Sequence, residues 1–202
     1  KFFAVLLYKY ERILNKMSEM KNNKTKKRLL DMCYISLFCA VIVVCSWVAI
    51  PLTVSVTLQT FAICTCAGLL GTAKGTLSVV LYIALGAVGL PVFTGFKGGI
   101  GALAGNTGGY IIGFIFTALI VGLAVDLFGR KTSVLFIFMS LGIMVCYLFG
   151  SVWYWFLYTS GTGNIAFTYI LMTCVVPFLI PDAVKIILAI IIVKRVGKLL
   201  YK

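Results

Sequence analysis

From about residue 29 onward the chain is a series of long apolar runs separated by short polar or charged connections. A helix needs about 20 apolar residues to cross the bilayer core. Met32–Ala73 carries no charge and is long enough for two such crossings, divided by Pro51 and the polar TVSVT after it. This predicts span 1 near Leu29–Ile50 and span 2 near Val56–Leu70. Lys74 lies in the tight connection GTAKG, and span 3 follows near Thr76–Leu90. The glycine-rich stretch Gly89–Phe114 overlaps the start of span 4, about Gly108–Leu127. Asp126–Thr132 (DLFGRKT) is a charged turn, and span 5 runs about Ser133–Tyr154.

The tail is less regular. Ile165–Val176 is apolar but only about 12 residues long, a length that fits a re-entrant or interfacial segment. Pro177 and Pro181 follow. Proline favours the first helical position, and an aspartate in the first turn suits the positive end of the helix dipole. Span 6 is therefore expected to start at Pro181, with Asp182 in its first turn, and to end near Lys194–Lys198. One long kinked helix from Ile165 is the competing pattern. The fold class is an all-α integral membrane protein of six transmembrane helices, residues 29–198, preceded by a basic head, residues 1–28. Within that head, residues 1–16 read as an interfacial or non-native extension ahead of Met17 or Met20.

Composition strengthens the membrane assignment. Of the 202 residues, 62% are hydrophobic and 11% charged, against about 25% charged in soluble domains. The net charge of +13 changes the picture only through its placement. Lysine and arginine concentrate at both termini and in the connections holding Lys74, Arg130 and Lys131, whereas the alternate connections carry only Lys97. That asymmetry orients a membrane protein with both termini in the cytoplasm and argues against a nucleic-acid partner. It also puts the glycine stretch, the Pro51 loop and the start of span 6 outside.

Candidate chemistry is sparse. With no histidine, histidine-ligated metals and histidine acid–base catalysis are excluded. The seven cysteines lie in or beside apolar runs, where cysteine behaves as a small hydrophobe. Asp182 and Lys185 form the one clear acid–base pair inside an apolar span, on one helix face at i, i+3. Buried charges in a membrane face a cavity or each other. The pair is thus a ligand site or a self-neutralising packing element. Thr57, Gln59 and Thr60 begin span 2 and hold either ligand or neighbouring backbone.

In the glycine stretch, Gly99–Gly105 is GxGxxxG with no preceding strand, and no phosphate-binding P-loop occurs anywhere. Gly101, Gly105, Gly109 and Gly113 recur every four residues and would make a flat packing face on a helix. Phe93, Phe96, Tyr110 and the cluster from Trp153 to Tyr158 fall at outer ends, as an aromatic belt or as pocket walls. Ser36 and Ala40 are a small-xxx-small pair on span 1.

Four segments, in order, resemble the BioY family, the substrate-capture subunits of energy-coupling-factor transporters for biotin. VTLQTF at Val56–Phe61 is similar to the family's start of span 2. GLPVFTGFKGGIGALAGNTGGYIIGF resembles its glycine-rich signature. Gly150-Ser-Val-Trp153 is similar to a G-x-x-W element, and Pro177–Lys185 (PFLIPDAVK) resembles a segment ending in Asp-x-x-Lys. The resemblance implies a six-helix subunit in the bacterial cell membrane. It has no chemistry or cofactor of its own and takes biotin at an outward-facing site.

It places Asp182 and Lys185 at that site. The further candidates are Thr57, Gln59, Phe93, Lys97, Asn106, Tyr110 and Trp153. Ser36 and Ala40 fall where the family docks its transmembrane coupling subunit, which works with a pair of ABC-type ATPases. Asn106 replaces a proline of the signature, and Ile180-Pro181-Asp182 replaces Pro-Gly-Asp, which bears on where span 6 starts. The alternatives are another vitamin, such as thiamin or riboflavin, and a ligand-free structural membrane partner.

Overall fold

Inside a bilayer every backbone amide and carbonyl must find its partner within the protein, and a helix does this within one segment. The computed structural model describes residues 23–50, 56–161 and 167–200, most of them helical. Helix α1 spans Asn23–Trp47, and β1 (Ala49–Ile50) pairs antiparallel with β2 (Val56–Thr57). Then come α2 (Gln59–Ala87), α3 (Ile100–Ala104), α4 (Gly108–Phe128), α5 (Thr132–Gly161), α6 (Phe167–Cys174) and α7 (Val176–Leu200). Among the described residues, five stretches are long and apolar enough to cross a membrane, the last of them uniting α6 and α7. The head before residue 23, the Pro51 break through residue 55 and residues 162–166 lie outside the described residues.

Helix α2 covers both span 2 and span 3 of the hydropathy pattern, and its two halves run antiparallel. Gln59 Nε2 donates to Tyr82 Oη at 2.6 Å. A straight helix would hold residues at that separation about 35 Å apart. The reversal is at Gly71, whose φ of 77° and ψ of −170° lie in a region open essentially to glycine alone.

Two charges clamp this turn. The Asp126 carboxylate accepts from the Thr72 amide at 2.9 Å and from Thr72 Oγ1 at 2.6 Å, at the start of the second half. Arg130 donates to the carbonyls of Gly68 at 3.0 Å and Leu69 at 2.9 Å, at the end of the first half. Helix ends leave such groups without intrahelical partners, and each charge here meets the helix end of opposite sign. The DLFGRKT turn thus fixes the α2 reversal. Lys74, paired with Asp31 at 2.7 Å, joins α1 to the same end of the bundle.

Several sequence expectations shift. Helix α1 begins at Asn23 rather than Leu29, because lysine and arginine are good helix formers and extend it past the apolar run. Helix α5 continues to Gly161, since the aromatic residues around Tyr154 are still helical. Helix α7 starts at Val176, not Pro181, and Asp182 is therefore not in its first turn. Pro177 already occupies the first turn, where a missing N–H costs nothing, and Pro181 sits inside the helix.

The four-residue glycine ladder does not form one face. Gly105 is extended and breaks the helix, leaving Gly101 on α3 and only Gly109 and Gly113 on α4. Those two lie against Trp153 and Cys146 of α5, letting the helices approach closely.

Gly71 supplies a direct test of the turn. A Cβ there would lie 2.4 Å from Asp126 Oδ1 and demand a forbidden backbone conformation. Gly71→Ala is expected to cost about 1–3 kcal/mol. The check is the thermal unfolding midpoint in detergent, with Gly129→Ala, which meets no neighbouring atom, as a backbone-only control.

Candidate functional site

A charged pair in an apolar bundle needs partners, and α7 supplies them to itself. Asp182 and Lys185 are 3% and 6% exposed and lie one helical turn apart. Lys185 Nζ donates to Asp182 Oδ1 at 2.6 Å. Thr60, at the start of α2, donates its hydroxyl to the same oxygen at 2.9 Å and accepts from Lys185 at 3.3 Å. Tyr147, from the middle of α5, donates its hydroxyl to Asp182 Oδ2. Three helices therefore meet at one carboxylate.

The count of hydrogen bonds leaves room for more. An ionised carboxylate offers about four acceptor positions and an ammonium three N–H donors. These contacts use three of the acceptors and two of the donors. One acceptor position remains on Asp182, at Oδ2, and one donor on Lys185, whose ammonium is bonded at Oδ1.

Above the pair is a cavity of about 770 Å³. That lies within the span of about 300–1,000 Å³ typical of small-molecule sites. Asp182, Lys185, Thr60 and Tyr147 line it, together with Phe178, Cys146 and Cys174. A second polar group stands on its wall. Gln59 Oε1 accepts from Thr57 Oγ1 at 2.9 Å and from Thr94 Oγ1 at 3.4 Å, while its amide nitrogen holds Tyr82. Thr94 belongs to the loop after α2, so Gln59 ties that loop to the helical hairpin.

The glycine stretch forms the opposite side. Phe93, buried, lines the cavity and packs edge-on to Tyr82 at 5.5 Å. Its ring fits only because Gly86 has no Cβ, which would lie 2.0 Å from it. Tyr110 lines the cavity from α4, with Gly150 clearing space for its ring in the same way. Lys97 and Asn106, both exposed, stand at the rim. The loop is held down by its backbone: Trp47 Nε1 donates to Pro91 O at 3.1 Å, Ser46 Oγ donates to Val92 O, and the Phe93 amide donates to Lys97 O at 2.9 Å.

Of the nine candidate ligand residues, Thr57, Gln59, Phe93, Lys97, Asn106, Tyr110, Asp182 and Lys185 converge on this one cavity. Trp153 does not line it. Its indole N–H is donated to Gly105 O at 3.1 Å and its Cβ abuts Gly109, so it holds the break between α3 and α4 in place. Ser36 and Ala40 lie on an exposed face of α1 and do not line the cavity. The Ser36 hydroxyl folds back onto Met32 O at 3.0 Å and Cys33 O at 3.1 Å, leaving a smooth surface.

Sequence reasoning missed Tyr147 and Tyr82. Each is a tyrosine inside a charge-free span, where a phenol needs a partner it cannot find in lipid; that was the available signal. No cluster of three metal-binding side chains occurs among the described residues.

The model of the BioY family matches residues 17–202. A relative in Thermotoga maritima named biotin transporter BioY is 39% identical over 166 residues, covering 81% of this chain and 93% of its own. A Lactococcus lactis protein with the same name is 32% identical, covering 89% and 95%. A crystal structure described as the S-component for biotin from an ECF-type ABC transporter superposes with a TM-score of 0.77 at 30% identity, covering 89% of this chain and 95% of that one. With a sequence and a fold that agree over most of their length, this chain belongs to the BioY family.

Proposed function

We propose that this chain is the biotin-capturing subunit of an energy-coupling-factor transporter, with the cavity above Asp182 and Lys185 as its binding site. The observation that carries this is the spare acceptor position of Asp182 and the spare donor of Lys185, on two paired residues that both line the cavity. A ureido group presents an N–H donor beside a carbonyl acceptor. Its N–H would bond Asp182 and its C=O would accept from Lys185, completing both side chains at once. Phe93, Tyr110 and Phe178 offer apolar faces to the fused rings. The valerate carboxylate then points to the rim, toward Lys97, Asn106 and the Gln59–Thr94 edge. The names borne by the relatives support biotin over other vitamins.

The route follows from topology. Counting the two halves of α2 separately gives six crossings, and the basic end at Lys74, Arg130, Lys131 and Lys194 then faces the cytoplasm. Asp182 is 12 residues from Lys194 on α7, about 18 Å along the helix, so the cavity opens outward. With no phosphate-binding motif in the chain, energy comes from partner ATPases through a coupling subunit. Ser36 and Ala40 offer that subunit two small residues one turn apart, a place where a partner helix can approach closely.

Two tests separate site from scaffold. Asp182→Asn is expected to weaken biotin binding by about 1–3 kcal/mol, and Tyr147→Phe by about 0.5–1.5 kcal/mol, read by titration calorimetry on purified protein. A competition panel accompanies it: riboflavin or thiamin displacing biotin at equal concentration would reassign the ligand. Docking is tested with Ala40→Trp. The variant should keep wild-type biotin affinity yet fail to co-purify with the coupling subunit; intact co-purification would remove this face from the interface.

A further inference from the structure

We propose that the cleft between the first turns of α5 and the middle of α7 seats one anionic phospholipid. The cleft has a volume of about 500 Å³. Phe136, Ile137, Ile187 and Ile191 form its apolar walls, with Thr132 and Ser133 at one end. It lies at the basic end of the bundle, apart from the biotin cavity, and shares no lining residue with it.

Charge distinguishes this cleft from ordinary lipid-facing surface. Two lysines stand next to its polar end, one by contact and one by chain position. Lys194 Nζ reaches Thr132 Oγ1 at 2.6 Å, and Lys131 directly precedes Thr132. Both lysines are exposed. The ion pairs found among the described residues join Lys74 to Asp31 and Lys185 to Asp182, so neither Lys131 nor Lys194 has a carboxylate partner there. Asp126, the nearest acid in sequence, is engaged by Thr72. The first amides of α5 also lack intrahelical acceptors and point toward the same end.

An occupant must therefore join negative charge to a long apolar body. A phosphodiester with acyl chains does so: the phosphate meets Lys131, Lys194 and the Thr132 and Ser133 hydroxyls, and one chain follows the walls. Thr132 and Ile137 are about 8 Å apart along α5, so the head of a lipid and the top of its chain are both in reach. A zwitterionic headgroup would bring its own cation to two lysines. Basic pockets between membrane helices are the kind of site that selects anionic headgroups.

Native mass spectrometry of the purified full chain, with phosphatidylglycerol or phosphatidylcholine added in detergent, tests this. The expected result is one phosphatidylglycerol retained per chain, with an apparent Kd about tenfold below that of phosphatidylcholine. The double variant Lys131→Gln/Lys194→Gln should lose that preference. Ile137→Trp, which fills the cleft and keeps both lysines, should weaken phosphatidylglycerol retention about fivefold or more, given the apolar area it blocks. Circular dichroism without added lipid checks folding, and if the double variant does not fold, Ile137→Trp carries the test alone. Equal retention of the two lipids by wild type would overturn the proposal. So would unchanged preference in the folded variants, or displacement of the lipid by inorganic phosphate, which would mark an ion site only.

Discussion

The carboxylate of Asp182 is the point on which the cavity half of the bundle depends. A lone charge in an apolar interior is too costly to keep, so it must be surrounded by donors. Lys185 comes from the same helix, but Thr60 and Tyr147 come from α2 and α5. Satisfying one side chain thereby fixes the relative positions of three helices. It also determines the floor of the cavity, because the groups that neutralise the charge are those left facing open space. The residues that neutralise the charge, Lys185, Thr60 and Tyr147, therefore line the cavity as well.

The opposite end of the bundle uses the same physics for another purpose. Asp126 and Arg130 are bound to helix ends on either side of Gly71, holding a reversal that has no side chain of its own. Between these two charged ends, helix packing relies on small residues and close backbone approach rather than on escape from water. Gly109 and Gly113 set α4 against α5, and Gly86 and Gly150 open the seats of Phe93 and Tyr110. The glycine-rich stretch is therefore three things in one: a tethered loop, a short helix, and the first turns of α4.

The degree to which this was legible in the sequence varies with the chemistry. Asp182 and Lys185 stand out because charges inside an apolar run are rare and their spacing puts them on one face. Gln59 and Thr57 stand out more weakly, as uncharged polar groups at the start of an apolar span. Tyr147 and Tyr82 do not, since a tyrosine in an apolar span looks like core or belt until its hydroxyl partner is seen across 20 or more residues of chain. Two prolines within five residues left the start of α7 ambiguous, and the first of them proved to be the helix starter. Trp153 was a candidate through the G-x-x-W element, which does not tell which of two neighbours an indole will serve; here it bonds Gly105 rather than lining the cavity. The resemblance to BioY supplied the family; only the geometry separates residues that line the cavity from those that brace its wall.

The central claim is that the ureido end of biotin completes the Asp182–Lys185 pair. It is tested most directly by titrating wild-type protein with biotin and with its guanidine analogue, in which C=NH₂⁺ replaces the ureido carbonyl. The analogue keeps the N–H donors for Asp182 but sets a cation against Lys185. Biotin should bind tightly and the analogue more weakly by a factor of about ten or more, roughly 1.4 kcal/mol. Equal or tighter binding of the analogue would contradict the account.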